Sequence, residues 1–117
     1  MDARIAALFA LAATACQSAP PVAEKGALVS LYQYAGSKQC ERGGKTLDAL
    51  RQELVRAGVQ ARSASCGSDG RMYAQSCGMP DGRILVVEVA QSQAAAVAGI
   101  GLKPLRELPE AVTTPCR

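Results

Sequence analysis

Residues 27–59 constrain the fold most, because their apolar pattern changes from strand-like to helical within one short stretch. The run ALVSLYQYA contains neither Gly nor Pro and is rich in residues that favour strands. A polar loop follows, and then apolar residues at helical spacing: Leu47, Leu50, Leu54 and Ala57. Thr46 is a suitable N-cap, and Gly58 is a suitable residue to end the helix. The pattern predicts a strand, a loop and an amphipathic helix that packs on a sheet.

The predicted first strand has apolar side chains on both of its faces. One face carries Val29 and Leu31, and the other carries Leu28, Tyr32 and Tyr34. Strands that are apolar on both faces usually lie inside a sheet. We therefore expect neighbouring strands on both sides, and we expect the two tyrosines to help build a second packed layer.

Two Asp-Gly pairs divide the middle of the chain, and each follows a Cys-Gly pair. Asp-Gly between strand-like runs favours a tight turn, since Gly tolerates a positive φ. The pattern predicts two hairpin turns, at Asp69 and at Asp81, with residues 72–76 as a strand between them.

The remaining segments complete an α+β pattern. Residues 59–66 predict a weak, edge-like strand, and residues 84–89 form the strongest strand signal. Residues 93–98 predict a short helix, and the prolines in and beside residues 102–108 allow only irregular backbone or an edge strand. We expect a small single α+β domain in the order β-α-β-β-β-α, with a mostly antiparallel sheet, helices packed on one face and two disulfides.

Residues 1–15 have the features of an export signal, with Arg4 before a short apolar run and small residues before Cys16. The run is too short to span a bilayer as a helix. It resembles a bacterial lipoprotein signal, in which the cysteine is acylated and begins the mature chain. By that resemblance Gln17 implies the outer membrane facing the periplasm, and residues 16–26 are a lipidated tether. The alternative is a soluble periplasmic or secreted protein with Cys16 free.

The chain has five cysteines, and an odd number is awkward in an exported protein. If Cys16 carries lipid, four remain in the domain of residues 27–117: Cys40, Cys66, Cys77 and Cys116. Four cysteines in an exported domain suggest two disulfides.

Geometry ranks the three ways of pairing four cysteines. If the helix connects the first and second strands as a crossover, those strands run parallel and place Cys40 and Cys66 at the same end of the sheet. A strand at residues 72–76 would then carry Cys77 to the far end, about 20 Å away, which is beyond the ~7 Å limit between bridged Cα atoms. We therefore expect the pairs Cys40–Cys66 and Cys77–Cys116.

Composition excludes several chemistries. The chain has no His, which removes Ser-His and Cys-His nucleophile pairs and the commonest metal ligand. It has no Cys-x-x-Cys pair for zinc or thiol redox chemistry. Gly44-Lys45-Thr46 resembles the end of a phosphate-binding loop, but Gln39 stands where that motif needs Gly. The net charge of +3 is scattered and does not favour nucleic acid. We expect a non-enzymatic protein without metal or cofactor.

One group of side chains suggests a binding face. Tyr32 and Tyr34 lie at the end of the first strand, and Lys38, Arg42 and Lys45 follow in the loop before the helix. Arg71 or Arg83 beside the two tyrosines would extend the same face. Cations beside a helix start can hold an anion. The alternative is that these charges form a solvated loop.

Four stretches carry a family resemblance: LYQYAGSKQCE, SASCGSDGRM, SCGMPDGRI and PCR. Together they resemble small bacterial exported lipoproteins of unknown function, which implies an envelope protein that acts by contacts with another protein or by structural support. A second stretch, LDALRQELVRAGVQAR, is similar to SPOR domains. That resemblance implies a β-α-β-β-α-β fold that binds denuded peptidoglycan strands.

Lipidation of Cys16 gives a direct prediction. Mass spectrometry of protein extracted from membranes is expected to find an acylated N-terminal cysteine. A soluble, unmodified form that begins at another residue would contradict it.

Overall fold

The structure, a computed structural model, describes residues 27–41 and 43–117. The predicted signal peptide, the tether with Cys16, and Arg42 lie outside the described residues. Five strands and two helices are present in the described part. They are β1 Leu28–Tyr34, α1 Leu47–Arg56, β2 Ser63–Ser68, β3 Arg83–Ala90, α2 Ala94–Val97, β4 Lys103–Pro104 and β5 Val112–Thr114. Short 3-10 turns flank α2 at Gln91–Gln93 and Ala98–Ile100, and another follows β4 at Leu105–Glu107.

The strands form one sheet in the order β4-β1-β3-β2-β5, and every pairing is antiparallel. The central strand, β3, is the apolar run that gave the strongest strand signal in the sequence. Because β1 and β2 both pair antiparallel with β3, they point in the same direction, and α1 connects them across one face. The predicted α+β class and the interior position of β1 are confirmed.

The helix α1 begins and ends where its caps predict. The Thr46 side chain accepts a hydrogen bond from the Ala49 amide at 3.1 Å, and Gly58 has a φ of +80° after the last turn. Leu50 and Leu54 are buried in the cluster that contains Leu31 and other apolar side chains of the sheet. The predicted apolar face of the helix is therefore the face that packs.

The other face of the sheet is covered by the chain after β4. Tyr32 and Ile84 are buried there against Leu108, with Leu105 and Ala111 packed at the margin. The predicted second layer exists, and an irregular C-terminal segment supplies its cover.

Two strand predictions are wrong. Residues 72–76 form no strand, because β2 pairs with β3 on one side and with β5 on the other and leaves no free edge beside it. For the same reason β2 is not an edge strand, since the tail of the chain pairs with it as β5. The predicted irregular or edge character of residues 102–108 is confirmed by the two-residue strand β4 and the turn that follows it.

The predicted disulfide pairing is also wrong. The bonds are Cys40–Cys77 and Cys66–Cys116, with Cα atoms 5.0 Å and 5.2 Å apart. The expected pairs, Cys40–Cys66 and Cys77–Cys116, depended on a strand that carries Cys77 away from Cys40. Without that strand the segment returns to the end of β1, and Cys116 lies two residues after Thr114, which faces Cys66 across the β2–β5 ladder. The formation of two disulfides in the domain is confirmed.

Within residues 27–41 and 43–117, none of the helices has the length and apolar character needed to span a membrane.

Neighbouring residues of α1 provide a test of this packing. Leu54 is 1% exposed and Val55 is 68% exposed. Leu54→Ala is expected to lower the free energy of unfolding by about 2–5 kcal/mol, because it leaves a cavity in the core. Val55→Ala removes apolar atoms from the exposed side of the same helix and is expected to cost less than about 0.5 kcal/mol. Urea unfolding with the disulfides intact measures both, and equal losses would show that the helix face is assigned wrongly.

Candidate binding site

The segment between β2 and β3, which we call the 69–82 loop, has no regular helix or strand. Its base is closed by a backbone hydrogen bond of 2.9 Å from the Asp69 amide to the Gly82 carbonyl. Its outer part is joined to the loop after β1 by the Cys40–Cys77 disulfide. A segment that would otherwise be a long mobile connection is therefore fixed at both ends and near its middle.

Gln39 supplies many of the hydrogen bonds that a strand pairing would have given this loop. Its side-chain amide donates to the Ala74 carbonyl at 2.8 Å and to the Pro80 carbonyl at 3.2 Å, and its Oε1 accepts from the Ser76 amide at 3.0 Å. The backbone of Gln39 adds a bond from its amide to the Met79 carbonyl at 2.8 Å. The sequence did not predict this role of Gln39, because its partners lie 35 to 41 residues further along the chain.

Cys40 is held in an uncommon backbone conformation. Its φ is +68°, in the left-handed region that residues other than Gly seldom occupy. Such a conformation persists when the surrounding structure over-determines it. Here the disulfide of Cys40 and the hydrogen bonds of the neighbouring Gln39 hold the backbone in this conformation.

Asp69 is the buried polar centre of the loop, with a side chain that is 1% exposed. Its Oδ2 accepts hydrogen bonds from the Tyr34 hydroxyl at 2.9 Å and from the Tyr73 hydroxyl, and its Oδ1 accepts from the Arg71 amide at 2.9 Å. The predicted turn role of Asp69 is therefore only part of its function in the fold. It also joins the end of β1 to the 69–82 loop.

Electrostatics keep Asp69 ionised and its tyrosine partners protonated. Burial raises the pKa of the Asp69 carboxyl. This effect is outweighed by hydrogen bonds from Tyr73, the Arg71 amide and Tyr34 and by the Arg71 charge, so the pKa lies below its usual value. The hydrogen bond to Asp69, followed by burial, raises the pKa of Tyr73. Burial, followed by the bond to Asp69, raises the pKa of Tyr34. Both hydroxyls therefore donate at neutral pH.

Asp81 makes the second turn of the loop. Its Oδ1 accepts from the Ser37 hydroxyl at 2.9 Å and from the Arg83 amide at 3.1 Å. Asp81 makes a turn through the Arg83 amide, but the hairpin predicted at this position is absent because residues 72–76 form no strand. Ser37 connects this turn to the loop after β1.

A cavity of about 380 Å³ lies between the end of β1 and the 69–82 loop. Gly82 is required in its wall, because a Cβ there would lie 2.8 Å from Asp69 Oδ1 and 2.8 Å from a ring carbon of Tyr73. Aromatic, cationic and small side chains line the cavity: Tyr34, Gly36, Ser37, Arg71, Tyr73, Pro80, Asp81, Gly82 and Arg83. We call it the Tyr-Arg cavity.

The structure separates the residues of the predicted binding face. Tyr34 lines the Tyr-Arg cavity, whereas Tyr32 is 5% exposed and packs in the core. Lys38 is exposed beside the cavity wall, where its backbone pairs with Pro80. Lys45 makes an ion pair with Glu53 on α1, with N–O distances of 2.8 Å and 3.0 Å.

Arg42, the fifth residue of that prediction, lies outside the described residues. Arg71 and Arg83, which were expected beside the tyrosine face, line the cavity together with Tyr34, whereas Tyr73 was not predicted to belong to the site. The nearest signal in the sequence for the two arginines was the recurrence of Asp-Gly-Arg, which places an Arg directly after each turn.

No group of three or more His, Cys, Asp or Glu side chains within residues 27–41 and 43–117 could hold a metal ion. Comparisons of the chain with known protein families, with characterised proteins and with solved structures find no significant match. Function is therefore inferred from the residues of the site.

The Asp69 cluster predicts a specific pH dependence. Because the pKa of Asp69 is lowered in the folded state, its ionised form contributes stability above the unfolded pKa of about 3.9, and that contribution is lost as the pH falls through the folded pKa. Asp69→Asn is expected to cost about 1–3 kcal/mol at pH 7, since it weakens bonds to a buried acceptor. The difference from the unmutated protein should shrink below about pH 4.

Asp48→Asn, at an exposed position in the first turn of α1, is the matched control and should cost under about 1 kcal/mol at pH 7. Urea unfolding between pH 7 and pH 2 measures both variants. A cost of Asp69→Asn that stays constant or grows as the pH falls would contradict the assigned charge of this carboxylate.

Proposed function

We propose that the chain is an exported cell-envelope lipoprotein, anchored in the outer membrane through Cys16, whose domain at residues 27–117 is a non-enzymatic binding module. The observation that carries this proposal is the rigid 69–82 loop with its cavity. An irregular loop that a disulfide, a glutamine and a buried carboxylate hold in place is a surface suited to recognition. Two disulfides also suit the oxidising conditions outside the cytoplasm.

The loop also presents an apolar side chain to solvent. Met72 is 97% exposed at a position three residues after Asp69, beside the residues that line the Tyr-Arg cavity. Burial of such a side chain in a complex is favourable, and the flexible thioether of Met adapts to different partners. We assign the partner-facing surface to Met72 and the mouth of the Tyr-Arg cavity.

A second candidate is a SPOR-like module that binds peptidoglycan glycan. Two observations favour it. The elements β1, α1, β2, β3, α2 and β4 follow the order β-α-β-β-α-β that the resemblance implies. The rings of Tyr34 and Tyr73 also line the cavity, where an apolar sugar face can stack on them. Co-sedimentation with purified peptidoglycan sacculi separates the two candidates, because only the glycan-binding module is retained.

Site-specific photo-cross-linking in cells tests the binding surface. A photoreactive residue replaces Met72 on the 69–82 loop, and in a matched variant it replaces Val55, which is also exposed and apolar but lies on α1. We expect discrete cross-linked species from position 72 and none from position 55. Equal cross-linking at both positions, or none at either, would contradict the assignment of the loop as the binding surface.

A further inference from the structure

Two arginines line the Tyr-Arg cavity without a hydrogen bond from their guanidinium groups, although the charge of Arg71 acts on Asp69 and Tyr34. The two are Arg71 and Arg83. Their backbone amides are hydrogen-bonded, but neither guanidinium group donates a hydrogen bond or forms an ion pair with any residue that the structure describes. The five N–H donors of the Arg71 guanidinium are therefore available to a ligand. Because side chains alternate along a strand, Arg83 leaves β3 on the face of Leu85, opposite to Tyr34 and Ile84, so only the end of its side chain reaches the cavity.

The nearby carboxylates accept their hydrogen bonds from uncharged donors. Asp69 accepts from two tyrosine hydroxyls and a backbone amide, and it is buried beneath the cavity. Oδ1 of Asp81 accepts from a serine hydroxyl and a backbone amide within its turn. These bonds hold the walls of the cavity in place.

The charge balance determines how an anion would be held. Arg71, Arg83 and the neighbouring Lys38 are nearly balanced by Asp69 and Asp81, so long-range attraction of an anion is weak. A ligand gains affinity instead from short, paired bonds between a guanidinium fork and a carboxylate. A carboxylate fits this recognition better than a diffuse anion.

The remaining wall of the cavity is apolar. The rings of Tyr34 and Tyr73 and the ring of Pro80 line it. The volume of about 380 Å³ is at the lower end of the range of ligand cavities, and it is large enough for one amino-acid residue but not for a folded element. Tyr34 is 42% exposed, so the cavity is open to solvent on that side.

We propose that the Tyr-Arg cavity binds the C-terminal carboxylate of a partner chain whose last side chain is apolar. Arg71 and Arg83 hold the carboxylate, the last side chain lies against Tyr34 and Tyr73, and the preceding residues pass out over Met72. Capture of a chain terminus is an established mode of peptide recognition. The inference builds on the proposed function as a protein-binding module and names the chemistry of its partner.

The probe is a library of N-acetylated pentapeptides with varied last residues and free C-terminal carboxylates, matched with the same library as C-terminal amides. Each is incubated with the immobilised full-length protein, and retained peptides are quantified by mass spectrometry. We expect retention of free acids that end in apolar residues about tenfold above their amides, equivalent to about 1.4 kcal/mol. Equal retention of acids and amides, or retention that does not depend on the last side chain, would overturn the proposal.

Arginine variants locate the site. The double variant Arg71→Gln with Arg83→Gln is expected to abolish the preference for free acids, whereas Arg51→Gln with Arg56→Gln, on the exposed side of α1, should leave it intact. The thermal melt and the disulfide map of each variant check its fold. If the first double variant does not fold, Arg71→Gln alone, at an exposed position, is used. A preference that survives the loss of Arg71 and Arg83, or of Arg71 alone, would overturn the assignment.

Three further outcomes separate this inference from the function it builds on. Cross-links at position 72 without any preference for free acids would reject the carboxylate ligand and keep the binding module. Retention of N-acetyl-leucine as strong as that of the best peptide would reject a chain terminus and assign the cavity to a small carboxylate. Retention of sacculi in place of peptides would reject a protein partner.

Discussion

The Cys40–Cys77 disulfide is the constraint on which the surface of this domain depends. The 69–82 loop lies outside the strands of the sheet, and residues 78–81 meet the chain after β1 through the Lys38–Pro80 bridge and the backbone bonds of Gln39. The disulfide joins the 69–82 loop to the chain just after β1 and closes a loop with a sequence separation of 37. On the chain-entropy account, such a closure stabilises the fold by about 4 kcal/mol. With the loop fixed, Gln39 and Asp69 can make their hydrogen bonds, and the Tyr-Arg cavity has a defined shape.

The second disulfide gives similar support to the other side of the sheet. Cys66–Cys116 holds the tail of the chain beside β2, where β5 completes the ladder. The approach is close: a Cβ at Gly67 would lie 2.6 Å from the Val112 carbonyl oxygen. Beyond the predicted signal the chain has no Phe or Trp, so its core is made of Leu, Val, Ile and Tyr side chains of modest size. Covalent links at both margins compensate for that limited core.

The sequence predicts the elements that depend on periodicity. The helix α1 and the strands β1 and β3 follow from apolar spacing and caps, because those signals are local. The 69–82 loop does not follow, because an Asp-Gly pair is equally compatible with a hairpin turn and with the turn that Asp69 makes through the Arg71 amide. One wrong strand then placed Cys77 at the wrong end of the sheet and reversed the disulfide pairing. The roles of Gln39, Tyr73 and Asp69 depend on contacts between distant parts of the chain, which no local pattern records.

Non-reducing peptide mapping of the mature protein is the most direct test of the proposed site. The cavity, the buried carboxylate and the proposed ligand all require the 69–82 loop to be linked to the end of β1. Proteolysis under conditions that prevent disulfide exchange should release one linked peptide pair containing Cys40 and Cys77 and another containing Cys66 and Cys116. Recovery of Cys40 linked to Cys66, or of Cys77 as a free thiol, would contradict the structure of the site and the function that we infer from it.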